Sequence, residues 1–333
     1  MLRLWVVPLV LFGFSSAIRA EQGDDSAFFQ QRSQHAFNAI FGLPVVAPRL
    51  SQTLEWHVSM EHSNQFAGGI EGDERLLMDG ESTRLMFSYR QRLGSCWQLE
   101  ATVPLVSHSE GRFDESIDRW HKLFGLPDAE RDTQGFNSLR YEYYDAQGIR
   151  RRIARPQSGL GDIHVGLQYA LGCFATADST GADPMVRVGM KLPTGDSKDL
   201  LGSGAADFYA DWQSPVVKLR NKVHGGFAAG LLVNGQSEYF TNQQTIALYG
   251  SIGVQYALTH KLRIIAQMDG HSPFYKSGLR ELGDPAVNMS VGGRYLYGSA
   301  YSYELSISED VAIDTTPDIV ARLSMTYRPD QTR

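Results

Sequence analysis

Apolar and polar side chains alternate with period two along most of this 333-residue chain. Leu54, Trp56, Val58 and Met60 alternate with Glu55, His57, Ser59 and Glu61. Leu85, Phe87 and Tyr89 alternate with Arg84, Ser88 and Arg90. Trp97, Leu99, Ala101 and Val103 alternate with Gln98, Glu100 and Thr102. The pattern returns over 163–169, 186–192, 208–212, 223–233, 246–258, 262–268, 287–297, 301–307 and 319–327. Successive side chains of a strand point to opposite faces, so each segment has one apolar and one polar face. The longer segments, such as 223–233, 287–297 and 319–327, run to roughly 9–12 residues, which suits a tilted strand crossing a bilayer better than the ~5–6 of soluble sheets.

The connections support the same reading. Short ones (93–95, 172–183, 215–221, 259–260, 298–300) alternate strictly with generally longer ones (63–81, 107–159, 193–205, 234–243, 270–285, 310–317). Short periplasmic turns and long external loops give that alternation in an outer-membrane barrel. Aromatic residues such as Trp56, Tyr89, Trp97, Tyr169, Trp212, Tyr301 and Tyr327 sit near segment ends on the apolar face, where interfacial girdles need rings. The fold expected is all-β, an antiparallel transmembrane β-barrel of about twelve strands (10–14), with one helix in a long external loop. A secreted sandwich is the rival architecture. Closure satisfies every strand edge, which lipid cannot do.

The first twenty residues read as an export signal. Arg3 precedes an apolar run over 4–14, and small residues follow, with cleavage after Ala17 or after Ala20. Residues 21–50 are then expected as a periplasmic segment that can plug the near mouth, and 51–329 as the barrel. Export places the chain in an oxidising compartment. The only two cysteines, Cys96 and Cys173, fall at the same rim on neighbouring strands, which suits a disulfide. Two unpaired thiols are the other reading.

The net charge of −6, with no basic excess, argues against nucleic acid. No recognised metal-ligand spacing, phosphate-binding glycine loop or nucleophile elbow occurs, so neither metal nor cofactor is expected. Same-side pairs such as His57 with Ser59, or Asp162 with His164, stand nearly 7 Å apart along one strand, too far for a direct proton relay.

The stretch from Gln34 to Pro44 (QHAFNAIFGLP) resembles the N-terminal box of a Gram-negative family designated only as a domain of unknown function, DUF3187. The resemblance runs from there to the C-terminus. Two further pieces, Ser158-Gly-Leu-Gly-Asp-Ile163 and Lys191-Leu-Pro-Thr-Gly-Asp196, resemble motifs of outer-membrane barrels linked to phenol and aromatic degradation. The resemblance implies an outer-membrane location and carries over no catalytic residues. Physically, the motifs read as turns and strand punctuation.

Three groups of candidate site residues emerge. Arg84, Arg90, Glu100, Arg187, Lys191, Asp211, Arg263, Asp269 and Arg294 have the inward phase and mix both signs. They can cross-link a narrow lumen or line a weakly selective polar path. Phe113, Ile117, Trp120 and Phe124 recur at helical spacing within the longest loop. That helix can constrict the barrel mouth or lie on the outer leaflet. Arg150, Arg151, Arg152 and Arg155 follow a hairpin turn at 145–148, where they can meet lipopolysaccharide phosphates or simply solvate the loop. The expected function is a passive channel or structural barrel for small solutes, with outer-membrane lipid and lipopolysaccharide as partners. The alternatives are a lipid- or peptide-modifying enzyme and a surface adhesion or anchoring barrel.

Overall fold

A computed structural model describes residues 26–50, 54–110, 138–176, 183–311 and 315–329. Among them run sixteen strand segments: β1 (Leu54–Glu71), β2 (Glu74–Leu93), β3 (Trp97–Ser109), β4 (Arg140–Tyr144), β5 (Arg150–Ile153), β6 (Gln157–Leu160), β7 (Ile163–Ala170), β8 (Met185–Leu192), β9 (Asp207–Gln213), β10 (Val217–Arg220), β11 (Val223–Val233), β12 (Ile246–Ala257), β13 (Leu262–His271), β14 (Ala286–Tyr297), β15 (Tyr301–Asp310) and β16 (Ile319–Tyr327). Every pairing is antiparallel, and β16 returns to β1 with Trp56 opposite Tyr327, which closes the sheet. Counting β6 with β7 (both on β3) and β9 with β10 (both on β11) as halves of one strand each, and setting apart the β4–β5 hairpin, the wall has the twelve strands expected.

The wall sorts side chains as the alternation requires. On β12, Leu248 is 62% exposed, while its neighbours Ala247 and Tyr249 are buried. Outward rings pair at the short-turn end: Trp56 with Tyr89 at 4.9 Å, Trp97 with Tyr169 at 4.5 Å, and Tyr301 with Tyr327 at 4.8 Å. Cys96 and Cys173 are joined by a disulfide at that same end, with Cα atoms 6.0 Å apart.

Two features depart from expectation. Residues 63–81 are not a long loop. β1 and β2 run for 18 and 20 residues and meet in a two-residue turn at Gly72 and Asp73, with Gly72 at φ 58°. Their far halves project beyond the barrel, and Arg75–Asp79 of β2 pair with β4. β4 and β5 form the hairpin expected around 145–148, where the Asp145 carboxylate accepts the Gln147 and Ile149 amides at 3.0 and 2.9 Å.

The second departure is residues 26–50. They do not sit below the barrel at its mouth but lie inside it, nearly all buried. The chain enters beside Arg294 near the short-turn end, turns at 36–41 near the long-loop end, and returns so that Arg49 bonds the Asp183 and Ser214 carbonyls. The lumen therefore contains two antiparallel arms and an apex. The remainder of the expected periplasmic segment, the signal region and the helix with Phe113, Ile117, Trp120 and Phe124 lie outside the described residues.

Candidate functional site

A chain segment inside a barrel must find partners for its backbone, because it belongs to no ladder. Here the wall's cations supply them. Arg294 donates to the Ser26 and Phe28 carbonyls at 2.8 and 2.6 Å, and Arg322 to the Gln30 carbonyl at 2.9 Å. Arg84 reaches the Ala39 carbonyl at 3.1 Å, Lys191 the Ile40 carbonyl at 2.9 Å, and Arg187 the Val45 carbonyl at 2.7 Å. We call residues 26–50 the plug.

Four of these five cations, Arg187, Lys191, Arg294 and Arg322, are also tied to acids of the wall. Arg90 pairs with Glu55 and, at 3.1 Å, with Glu100, and donates to the Gln30 side chain at 2.6 Å. Arg187 pairs with Asp211 at 2.7 Å and Glu100 at 3.3 Å. Arg294 and Arg322 share Glu304 at 2.7 and 3.2 Å. Buried ions need such partners, since an unpaired buried charge is costly. Of the nine inward candidates, Arg90, Glu100, Arg187, Lys191, Asp211, Asp269 and Arg294 are buried in this network or against the plug, and Arg84 is half-buried. Arg263 sits apart at the short-turn rim, bonding the Thr259 carbonyl at 2.5 Å. Glu304, Arg322 and Asp207 belong to the same set. The phase of alternation places them inward, but nothing local distinguishes them from other inward residues.

The plug apex is apolar. Phe37, Ile40 and Phe41 are buried in a cup of Tyr141, Tyr143, Phe240, Phe274 and Tyr275. Phe41 stacks on Phe274 at 4.9 Å and meets Tyr275 edge-on at 5.3 Å, while Phe37 meets Tyr143 at 6.0 Å. The Tyr275 hydroxyl donates to the Phe37 carbonyl at 2.7 Å. Gly42 follows the apex because a Cβ there would fall 2.9 Å from the Cβ atoms of both Asp207 and Lys191. Gly253 in the wall makes similar room, since a Cβ there would strike the Ala27 carbonyl at 2.3 Å. His35 bonds the Glu281 carbonyl at 3.2 Å, and burial pushes its imidazole down to about 3.

The two turn-like motifs meet. Asp162 accepts the amides of Gly195 and Ser203 at 2.8 and 3.1 Å, and Thr194 Oγ1 donates to the Gly161 carbonyl at 2.7 Å. This knot sits where the wall strand breaks between β6 and β7. Opposite the break β3 carries Pro104, which has no N–H to offer; its carbonyl accepts Gly161 N at 2.8 Å. Lys191, 2.8 Å from Asp162 and 2.9 Å from Asp207, links the knot to the plug.

The hairpin arginines divide. Arg151 is buried, pairing with Asp145 at 2.8 Å and lying 5.4–5.6 Å over the Tyr239 and Phe240 rings, so it helps close the lumen and cannot meet an external phosphate. Arg150 pairs with Glu142 at 2.5 Å. Arg152 and Arg155 are exposed. The same-side pairs on β1 and before β7 do not form a relay. His57 Nε2 accepts from Arg322 at 3.1 Å and its Nδ1 faces Thr326 at 2.9 Å, while Asp162 bonds the knot and not His164. Among the described residues no group of three or more His, Cys, Asp or Glu side chains is placed to hold a metal ion.

The family model described as "Protein of unknown function (DUF3187)" matches residues 5–329. The chain belongs to DUF3187. No curated protein matches this DUF3187 member. Among solved structures it is similar to the COG4313 outer membrane channel from Pseudomonas putida F1. That likeness has TM-score 0.54 and 12% identity, covering 84% of this chain and 96% of the other. It is similar at lower scores to the CymD monoaromatic hydrocarbon channel (TM-score 0.42, 11% identity, 84% and 89% covered) and to a Pseudomonas aeruginosa FadL homologue (0.39, 10%, 83% and 90%). The first likeness establishes that this DUF3187 chain has the fold of an outer-membrane channel barrel.

Proposed function

We propose that this protein is a passive outer-membrane channel for small solutes, closed at rest by its own residues 26–50. The observation that carries this reading is the manner in which the plug is held. Its backbone carbonyls rest on side chains of Arg84, Arg187, Lys191, Arg294 and Arg322, and water can replace each of those bonds when the plug leaves. Acids of the wall already pair Arg187, Lys191, Arg294 and Arg322, so these four cations stay paired without the plug. The periplasm lies at the short-turn end in this reading, as export and the long external loops suggest. An open lumen would then be a polar, charge-balanced path beneath an aromatic cup, favouring small solutes that carry an apolar part.

Proteoliposome swelling tests this. In vesicles containing the chain without residues 26–50, phenyl glucoside is expected to enter faster than glucose. Equal rates would remove the apolar preference. No entry of either solute would overturn the channel.

One arrangement a catalytic role would draw on is His62 on the outward face, which bonds Thr83 Oγ1 at 2.9 Å and lies 3.4 Å from Glu81. That second distance exceeds the hydrogen bond that orients a catalytic base. The wild-type protein in phospholipid vesicles is expected to release no fatty acid. Release abolished by Thr83→Ala would overturn the non-enzymatic reading.

A further inference from the structure

Between the plug and the wall at β13 and β14 lies a void of about 10 Å³, lined by Arg32, Ser33 and Leu43 of the plug and by His271, Asn288 and Thr316. Five buried polar atoms of these residues have no hydrogen-bond partner: Arg32 Nε, Ser33 Oγ, His271 Nε2, Asn288 Oδ1 and Thr316 Oγ1. Buried polar atoms are nearly always paired, so five around one void make a site.

The neighbours fix what each atom offers. His271 Nδ1 lies 2.8 Å from the Ser272 carbonyl and must donate to it, which leaves Nε2 of the neutral ring a bare acceptor. Asn288 Nδ2 donates to the Ser33 carbonyl at 2.8 Å, so Oδ1 is an acceptor. Arg32 Nη1 donates to the Gly250 carbonyl at 3.2 Å, and its buried Nε–H remains an unused donor. The two hydroxyls take either role. Charge is balanced, with Arg32 3.9 Å from Asp269, whose oxygens already accept from Ser251 and Gln267 at 2.5 and 2.7 Å. An anion would face two bare acceptors, and a cation would face the guanidinium. A neutral molecule that both donates and accepts fits, and the volume is near the ~10–15 Å³ that one water requires.

We propose that this void is a built water site and that the plug first parts from the wall along it. The second half rests on residues 26–50 being a removable plug. At β8 and β9 the grip is direct, through Lys191 on the Ile40 carbonyl and Asp207 on the Gly42 amide at 2.9 Å each. At the void itself Asn288 holds the Ser33 carbonyl at 2.8 Å, but the ion pair of Arg32 is long and water bridges what these side chains do not. Nearer the short-turn end Gln267 and Arg294 grip Phe29, Ser26 and Phe28. A water already in place supplies the partners that plug and wall need as they separate.

A crystal structure of the full chain at about 1.5 Å resolution tests the site. A density peak within about 3.2 Å of both Arg32 Nε and His271 Nε2 is expected. An empty void, or direct pairing of these atoms, overturns it. An anomalous peak there from bromide-soaked crystals overturns a neutral occupant. For the seam, Ser33→Cys/Asn288→Cys is joined by a short bis-maleimide and recorded in planar bilayers. At least tenfold fewer openings than in either single variant, treated alike, are expected, and equal openings overturn the seam. If the chain lacking 26–50 is itself silent, the plug reading fails, while the density peak still decides the water site.

Discussion

Lys191 on β8 donates to the Ile40 carbonyl of the plug at 2.9 Å while its ammonium lies 2.8 Å from Asp162 and 2.9 Å from Asp207. One cation thus joins the strand break, the start of β9 and the plug apex. Lys191→Met removes the charge and leaves two buried carboxylates without their partner. Breaking a buried ion network in this way costs about 3–5 kcal/mol. Chemical unfolding in detergent is expected to show a loss of that order, and bilayer recordings more frequent openings. Unchanged stability with unchanged closure would contradict the role given to Lys191.

Gly42→Ala tests the fit of the apex without touching a charge. The added methyl would meet Asp207 and Lys191 at 2.9 Å, so the plug must shift. Overpacking of this kind costs about 1–3 kcal/mol. Faster amide exchange at 36–42 and more openings are expected. Wild-type exchange would mean that the apex is not seated as described.

His35 makes stability depend on pH in a defined sense. Burial pushes its imidazole down to about 3, nearby His271 acts in the same direction, and the bond to the Glu281 carbonyl offsets part of this. The ring is neutral when folded but takes a proton near its ordinary value of about 6.5 when unfolded. Its contribution is therefore full above about 6.5 and is lost as pH falls toward 3. Wild type is expected to lose more thermal stability than His35→Gln between pH 7.5 and pH 4.5. Parallel losses would contradict a buried neutral ring.

The Cys96–Cys173 disulfide spans 77 positions at the short-turn rim, the end opposite the plug apex. Replacing both cysteines by serine is expected to cost up to about 4 kcal/mol on the loop-entropy model and to leave conductance unchanged. A changed conductance would tie the rim to gating.

The barrel was legible because lipid and lumen impose opposite demands on alternate residues. The legibility stopped where that contrast stops. Beyond the bilayer, β1 and β2 keep their pairing, but Gly68, Gly69 and Gly72 and mixed polarity erase the alternation, so 63–81 reads as a loop. The plug carries no period at all, since its backbone is satisfied by arginine and lysine side chains and not by a neighbouring strand. Inward phase puts Arg187 and Arg294 on the lumen side of the wall, and both are buried. It could not show that they hold carbonyls, because those partners come from sequence 142 and 268 positions away. Phe240, Phe274 and Tyr275 lie on loops, where only tertiary packing makes them a cup.

Single-channel recording of the full chain beside the chain without residues 26–50 tests the occupied lumen most directly. Both are first shown folded by heat-modifiable gel migration. The full chain is expected to be closed with rare openings, and the shortened chain to conduct steadily. A folded shortened chain that stays silent, or a full chain that conducts as steadily as the shortened one, would contradict closure by the plug.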